Sequence, residues 1–438
     1  MLNIVLNLSK YILMFLMLFY TYLCFRINSM ENNNKARGHI ITQKTFIMII
    51  FSVCYALILY YAYDILTLII FMLEFIYLML FPVFYNIIFP DNSKVITNNM
   101  TFMLALGFIM VTRLAPKNSA KQFLIVLIGS IIFFFIPSFI RKKKLIIKSR
   151  YIYAIAGFVL LGITLILGKT SFGANISFTI AGFTFQPSEF VKILYVLFVA
   201  SMLSKNPGRK GIIISGVFAA LHILVLVAST DLGAALIFFI VYLIMLYIAS
   251  GKFYLFMAGL ASGCGAAFLA YKVFSHVRVR VSAWLNPWAD IDNKGYQITQ
   301  SLFAIGTGGL FGMGLYQGLP TSIPVVEKDF VFAAISEEFG IIFGICVIFV
   351  CVSIFLEVMK TASKCSDIFY KLIAAGFGVL YIFQCFLTIG GVIKFIPSTG
   401  VTLPFVSYGG SSILSSLIMF AIIQTVCMKA GREDNEKK

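Results

Sequence analysis

Thirteen long apolar runs, rather than any catalytic motif, set the terms for this 438-residue chain. They fall near 4–26, 45–62, 65–89, 100–113, 119–140, 150–167, 188–204, 211–228, 231–250, 253–275, 330–356, 368–390 and 405–428. A helix that crosses a bilayer uses roughly 20 apolar residues, because the hydrocarbon core is about 30 Å thick and each helical residue rises about 1.5 Å. With 61% of positions apolar and only 12% charged, the chain holds enough apolar sequence for thirteen such helices and little else. That composition excludes a soluble enzyme, a disordered scaffold and a secreted disulfide module. The predicted fold class is an all-α polytopic membrane protein. The first run has only Lys10 ahead of its core and no small-residue cleavage site, so it reads as a retained helix. The second and third runs are separated by a tight turn at Asp64 and predict a helical hairpin.

Thirty-four basic residues against 17 acidic ones give a net charge of +17. The excess collects in a few connections and fits the positive-inside rule better than a nucleic-acid partner. Arg26, Lys35, Arg37 and Lys44 share one connection, and Arg141, Lys142, Lys143, Lys144, Lys148 and Arg150 another. Lys205, Arg209 and Lys210 form a third, Lys360, Lys364 and Lys371 a fourth, and Lys429, Arg432, Lys437 and Lys438 close the chain. Thirteen spans put all five on one side when the N-terminus is outside and the C-terminus cytoplasmic. Arg113, Lys117 and Lys121 are the exception. The same count places the connections 276–329, 168–187 and 391–404 on the outer face. Eight scattered cysteines without a C-x-x-C pair read as buried small hydrophobes, and three distant histidines make no metal cluster.

A charge at membrane depth costs about 2.5–3.5 kcal/mol on insertion scales, so each one calls for a reason. Glu189 and Lys192 open the seventh span three residues apart, on one helical face where they can pair. Two readings stand: a first-turn carboxylate favoured by the helix dipole beside a snorkelling lysine, or an inward-facing pair in a cavity. Asp231 reads as the cap of the ninth span. Glu337 and Glu338 fall inside the eleventh span, where adjacent carboxylates force at least one toward protein or water. Glu74, in the third span, is assigned a hydrogen bond that steadies the hairpin.

The outer connection 276–329 carries Arg278, Arg280, Trp284-Leu-Asn286-Pro287-Trp288-Ala-Asp290-Ile-Asp292 and Gly295-Tyr296-Gln297, then a glycine-rich stretch from Gly306 to Gly318. Those glycines complete neither a Walker pattern nor a dinucleotide fingerprint. The arginines, aromatics and carboxylates suit an anionic, sugar-bearing lipid head group, and equally an interfacial cap, where Trp belongs. The last outer connection, Pro397 to Ser412, enters the final helix with small residues, hydroxyls and free N–H groups able to receive a phosphate. From the residues alone, a polar outward-facing cavity follows, with transporter and enzyme both open.

At these motifs the sequence resembles the SEDS family, the shape, elongation, division and sporulation proteins typified by FtsW, RodA and SpoVE. The resemblance spans roughly 100–430 and is carried, in the family's order, by Gln186-Pro187-Ser188-Glu189-Phe190-Val191-Lys192, Asp231-Leu232-Gly233, Asn286-Pro287-Trp288-Ala289-Asp290 with Gly295-Tyr296-Gln297, Ser301 to Gly306, Asp329 to Ala333 with Glu337-Glu338, and Thr399 to Ser412. It implies a ten-helix core over 100–430, three additional helices over 1–99 and a cytoplasmic tail at 431–438.

The resemblance also implies peptidoglycan glycosyltransfer: lipid II, a disaccharide-peptide on undecaprenyl diphosphate, is joined into glycan strands at the outer face of the bacterial cytoplasmic membrane, with a class B penicillin-binding protein as partner. The family's essential loop aspartate matches Asp290, not Asp292, and is cast as general base. Glu189, Lys192, Asp231, Arg278, Arg280, Lys394, Ser407, Ser411 and Ser412 are the substrate-binding candidates, and Gln186, Gln297, Glu337 and Glu338 line or shape the cavity. A divalent cation, Mg or Mn, is a weaker candidate, because no ligand cluster announces it.

Departures from the family mark a divergent paralogue. Gly173-Ala174-Asn175-Ile176-Ser177 lacks the family's Arg and Trp, Ser229-Thr230 replaces Gln-Pro, Glu327-Lys328 replaces His-Thr, Thr388 replaces Asn, and Lys394 replaces a glycine. A lipid-linked precursor flippase and a non-catalytic scaffold for a transpeptidase are the alternatives. A channel or symporter would need inverted halves or interrupted helix pairs that the sequence does not display. The additional helices are expected to dock a partner or lipid.

Overall fold

The computed structural model describes residues 2–28, 30, 33–171, 174–180, 183–205 and 208–436. Gly173, Lys437 and Lys438 of the sequence argument lie outside them. The helices before the first strand are α1 Leu2–Asn28, α2 Asn33–Ala62, α3 Ile65–Ile88, α4 Lys94–Leu114, α5 Pro116–Ile140, α6 Lys143–Lys148 and α7 Arg150–Leu167. Strands β1 Lys169–Ser171, β2 Ala174–Ile180 and β3 Phe183–Phe185 follow. Then come α8 Pro187–Lys205, α9 Arg209–Ala228, α10 Leu232–Ser250, α11 Phe253–Val273, α12 Ser275–Leu285, α13 Tyr296–Gly308, α14 Val331–Phe339, α15 Ile341–Lys364, α16 Ile368–Val392 and α17 Gly410–Glu436.

Among the described residues thirteen helices are long and apolar enough to cross a membrane, matching the thirteen apolar runs. Local chemistry sets their ends. Asp64 caps α3 by accepting from Leu66 N at 3.2 Å, which makes the turn expected between α2 and α3. Asp231 caps α10 from Ala234 N at 3.1 Å, and the helix stops at Gly251 in the left-handed region.

Two expectations change. The run 330–356 is not one span, because Gly340 breaks it at φ +91° and leaves the spanning helix to start at Ile341. A Cβ on Gly340 would meet Gly312 N and Leu310 O at 2.5 Å, so only glycine fits there. Glu337 and Glu338 therefore sit in the short α14 rather than in a spanning helix. The connection 168–187, to which the sequence argument assigned no secondary structure, holds a three-stranded antiparallel sheet in the order β1-β2-β3.

The chain forms two compact units. The first comprises Met1–Leu127, Ser282–Glu357 and Cys385–Tyr408. Its central strut is α4, buried along its whole spanning length. Tyr20 OH donates to Asn99 Oδ1 at 2.8 Å, Asn98 Nδ2 to Gln43 Oε1 at 3.3 Å, and Asn99 Nδ2 to Ser353 Oγ at 3.4 Å. Buried polar groups need such partners where no water reaches them, so these bonds fix α1 and α2 on α4 and tie α4 to α15. The hairpin bond expected of Glu74 is present: Tyr55 OH donates to Glu74 Oε2 and also meets Thr112 Oγ1 at 2.8 Å.

The second unit comprises Ile128–Val281, Val358–Gln384 and Gly409–Lys438. Here α8 packs among α7, α9, α10 and α17. A charged network ties the segment before α16 to the end of α17. Lys143 pairs with Asp367, Lys429 Nζ lies 3.8 Å from Asp367 Oδ2, and Ser366 Oγ donates to Glu433 Oε2 at 2.6 Å.

Candidate active site

The sequence candidates divide between the two units. In the second unit α8 starts at Pro187, whose fixed φ suits the first helical position, and puts Glu189 and Lys192 one turn apart. Lys192 is only 3% exposed, and its Nζ donates to Glu189 Oε2 at 2.6 Å and to Gln384 Oε1 at 3.0 Å. Ser415 Oγ donates to the same Glu189 oxygen at 2.7 Å. Of the two readings, the inward-facing pair is the one realised: the lysine does not snorkel outward.

A second set of bonds adjoins the first. Gln186 N donates to Ser411 Oγ at 3.0 Å, Gln186 Nε2 to Ser188 Oγ at 3.2 Å, and Ser188 Oγ to Asp231 Oδ2 at 3.1 Å. Ser411 Oγ in turn donates to Thr184 O at 3.2 Å, joining β3 to the start of α17. Burial pushes the Asp231 carboxyl above the usual carboxylate range, against the Ala234 N–H, the Ser188 hydroxyl and the charge of Arg280, with Glu189 adding to the rise. Arg280 thus lies within electrostatic reach of Asp231. Arg278 is exposed, and its Nη1 donates to Lys272 O at 2.8 Å. Ser412 is buried, and its carbonyl accepts from Ser415 Oγ at 3.0 Å.

In the first unit Asp290 ends a 3-10 turn, Pro287–Asp290, between α12 and α13. It is half-buried and accepts from Asn293 Nδ2 at 2.9 Å, while its carbonyl accepts from Gly295 N at 2.8 Å. The second bond closes the Gly295-Tyr296-Gln297 turn back onto the carboxylate-bearing residue. Asp292 is exposed. Gln297 Nε2 donates to Pro324 O at 3.4 Å.

Glu338, fully buried, accepts from Arg113 Nε at 2.9 Å and from Tyr316 N at 3.1 Å. The Arg113 guanidinium lies 4.1 Å from the centre of the Tyr316 ring. Burial pushes the Glu338 carboxyl up to about 7, against the opposing charge and hydrogen bond of Arg113. Glu337 accepts from Leu319 N at 2.9 Å, and burial raises it as well. Arg113, one of the three exceptions to the charge asymmetry, is the half-buried counter-ion of Glu338.

Lys394 is half-buried at φ +60°, and its carbonyl accepts from Trp284 Nε1 at 3.1 Å. Ser407 accepts from Leu403 N at 2.9 Å and donates to Lys328 O, so its hydroxyl is committed to the backbone. Among the described residues no three His, Cys, Asp or Glu side chains converge to hold a metal ion.

The site residues that sequence reasoning missed are Gln384 and Ser415, which complete the Glu189–Lys192 pair. Each was marked by a polar side chain interrupting an apolar run, Tyr381-Ile-Phe-Gln384 and Ser415-Ser416-Leu-Ile-Met.

The profile of the cell cycle protein family of FtsW, RodA and SpoVE matches residues 95–431. The chain belongs to that family. RodA, a peptidoglycan glycosyltransferase of Mycobacterium tuberculosis, is 33% identical over 378 residues, covering 78% of this chain and 79% of the relative. Stage V sporulation protein E of Bacillus subtilis is 33% identical over 285 residues, covering 61% of this chain and 76% of the relative. The rod shape determining protein RodA of Thermus thermophilus aligns with TM-score 0.59 at 21% identity, covering 77% of this chain and 96% of that one. A chain of a peptidoglycan synthase complex aligns with TM-score 0.67 at 23% identity, covering 77% of this chain and 98% of that one. These two likenesses establish the fold. The family match starts at residue 95, so α1–α3 precede it.

Proposed function

We propose that this multi-pass membrane protein is a peptidoglycan glycosyltransferase that polymerises lipid II, with Asp290 as its general base. The single observation that carries the reading is a family-matched aspartate on a short turn, with its carboxylate held by one side-chain donor and open to a substrate. In the reaction the acceptor sugar's 4-hydroxyl attacks C1 of the donor MurNAc. A C1–O4 bond forms as the bond from C1 to the diphosphate oxygen breaks, and that electron pair leaves with the lipid diphosphate. Asp290 takes the hydroxyl proton.

Cations are proposed to hold the charge on the departing diphosphate. Arg278 and Arg280 are proposed for that task, as is Lys192, which Glu189 already pairs. Lys394 adds a cation in the unit that carries Asp290. We further propose that the N-terminus lies outside and the C-terminus in the cytoplasm, as the basic connections favour. A class B penicillin-binding protein is the proposed partner; the likeness to a chain of a peptidoglycan synthase complex supports this.

The test is lipid II polymerisation by purified protein, alone and with class B penicillin-binding proteins, with products separated by length on a gel. Chains made by the native protein and absent with Asp290→Ala support the reading. Chains that persist in the variant remove Asp290 from the chemistry. Lipid II crossing a liposome bilayer without polymer formation supports a flippase instead.

A further inference from the structure

The helices α1–α3 precede the family match, yet α1 and α2 reach into the glycine-rich loop that follows α13, all within the first unit. Lys10 Nζ, near the start of α1, donates to Gly312 O at 3.2 Å, and the Tyr11 and Phe311 rings lie 5.6 Å apart. Tyr61, at the end of α2, stacks on Tyr316 with ring centres 5.0 Å apart and planes 12° apart, and its hydroxyl accepts from Gln317 Nε2. The antiparallel α1 and α2 thus hold the loop from two directions. Tyr316 adopts φ +67°, a left-handed conformation that a non-glycine residue keeps only when its surroundings over-determine it. Those surroundings are Tyr61 on one ring contact and the Arg113 guanidinium on another.

The loop is also bonded to α14. Met313 N and Gly314 N donate to Glu337 O and Glu338 O, each at 2.9 Å, and Ile341 N donates to Gly309 O at 2.9 Å. A Cβ on Gly308, the last residue of α13, would meet Ser336 O at 2.2 Å, so the helix end sits directly on α14. At its other end α13 begins beside the turn that carries Asp290, closed by Gly295 N to Asp290 O. Thirteen residues at about 1.5 Å each make α13 a rod of about 20 Å. One end is fixed by the loop and the other carries the carboxylate.

We propose that α1 and α2 are an intramolecular brace for the polymerisation site, and that Lys10, Tyr61 and Tyr316 are positioning residues that set Asp290 through the 309–319 loop and α13. This rests on the reading of Asp290 as general base. None of the three touches the reacting atoms, so the brace governs turnover rather than substrate affinity.

The test uses the full chain in two measurements. The first is hydrogen exchange at Met313, Gly314, Tyr316 and Leu319, whose amides are bonded to Glu337 and Glu338. Tyr61→Ala is expected to speed their exchange by about tenfold as local opening becomes easier. The second is lipid II polymerisation: kcat should fall about tenfold with KM little changed, short of the about hundredfold that a 1 Å misplacement can cost. Tyr61→Phe, which keeps the ring, should recover most of both. If Tyr61→Ala does not fold, Tyr61→Phe with Lys10→Met removes the two polar ties while keeping the stack, and should give the same changes at smaller amplitude.

Unchanged exchange in Tyr61→Ala, or in the Tyr61→Phe/Lys10→Met double variant, overturns the brace. Faster exchange with unchanged kcat overturns the positioning role, as does a rise in KM alone. If the native protein makes no polymer with any class B penicillin-binding protein, the general-base reading has failed and the positioning role falls with it, while the exchange result still reports whether the brace exists.

Discussion

The two charged regions of the molecule are built on opposite terms. Around α8, Lys192 is buried, Glu189 and Asp231 are half-buried, and their partners are side chains and an amide aimed at them: Gln384, Ser415, Ser188 and Ala234 N. Asp290 stands on a 3-10 turn with a single side-chain donor and a half-exposed carboxylate. The contrast follows from what each group must do. An ion kept in a dry interior must be matched by charge and hydrogen bonds or it destabilises the fold. A general base must leave its lone pairs for a substrate proton. Dense bonding therefore marks a framework, and sparse bonding marks the place where a substrate supplies what is missing.

Substitutions can break this comparison. The largest effect is expected at the sparse end. Asp290→Asn should lower polymerisation by about 100- to 10,000-fold with the unfolding temperature unmoved, whereas Asp292→Asn should change the rate little. Equal losses from both would mean the carboxylates are interchangeable and the turn geometry irrelevant.

At the dense end the order of damage reverses. Lys192→Met leaves Glu189 buried without its counter-ion and should cost about 3–5 kcal/mol of stability. The double variant Glu189→Gln/Lys192→Met should recover part of that loss in a thermal melt. A double variant no better than the single one would show that the pair is not a coupled unit.

Glu338 sharpens the picture because it is buried yet titrates high. Its carboxyl is raised from 4.5 to about 7 in the folded protein, so the folded state holds its proton more tightly than the unfolded chain. The stability this adds is fully present below about 4.5 and is lost as pH rises through about 7. Melting temperature should therefore fall across that window in the native protein, and Glu338→Gln should flatten the decline. An unaltered profile would assign the pH dependence elsewhere.

The smallest effect is at Lys394, which occupies a left-handed backbone conformation that favours glycine. Lys394→Gly should stabilise the fold by up to about 1 kcal/mol by relieving that strain. If the ammonium serves the diphosphate, the same change should weaken substrate use, and the two readouts would move in opposite directions.

Much of this is legible in the sequence, and physics explains which parts. Spanning helices announce themselves because a helix satisfies its own backbone in lipid within one apolar run, and the Asp64 and Asp231 caps and the Glu74 hairpin bond follow from local rules. The Glu189–Lys192 pair was legible from its spacing, but Gln384 and Ser415 were not, because they approach from helices some 190 and 220 residues away. Hydropathy also passes smoothly over Gly340, since the break there depends on the φ of one residue and on the Gly312 backbone behind it. The sheet at 169–185 did leave a trace in the alternation Ile176-Ser177-Phe178-Thr179-Ile180, a period of two that a search for period-3.6 helices does not weigh.

The clasp at Ser407 has a consequence for how the chain can vary. Its hydroxyl bridges Leu403 N and Lys328 O, the next amide donates to Glu327 O at 2.7 Å, and Phe405 O rests where a Cβ on Gly107 would lie. Surface connections ordinarily absorb extra residues at little cost, but one added residue between Leu403 and Ser407 would put each of these partners out of step. The segment behaves as a spliced joint of fixed length, closed to inserted tags and resistant to proteolytic nicking, and a graft or reporter belongs elsewhere.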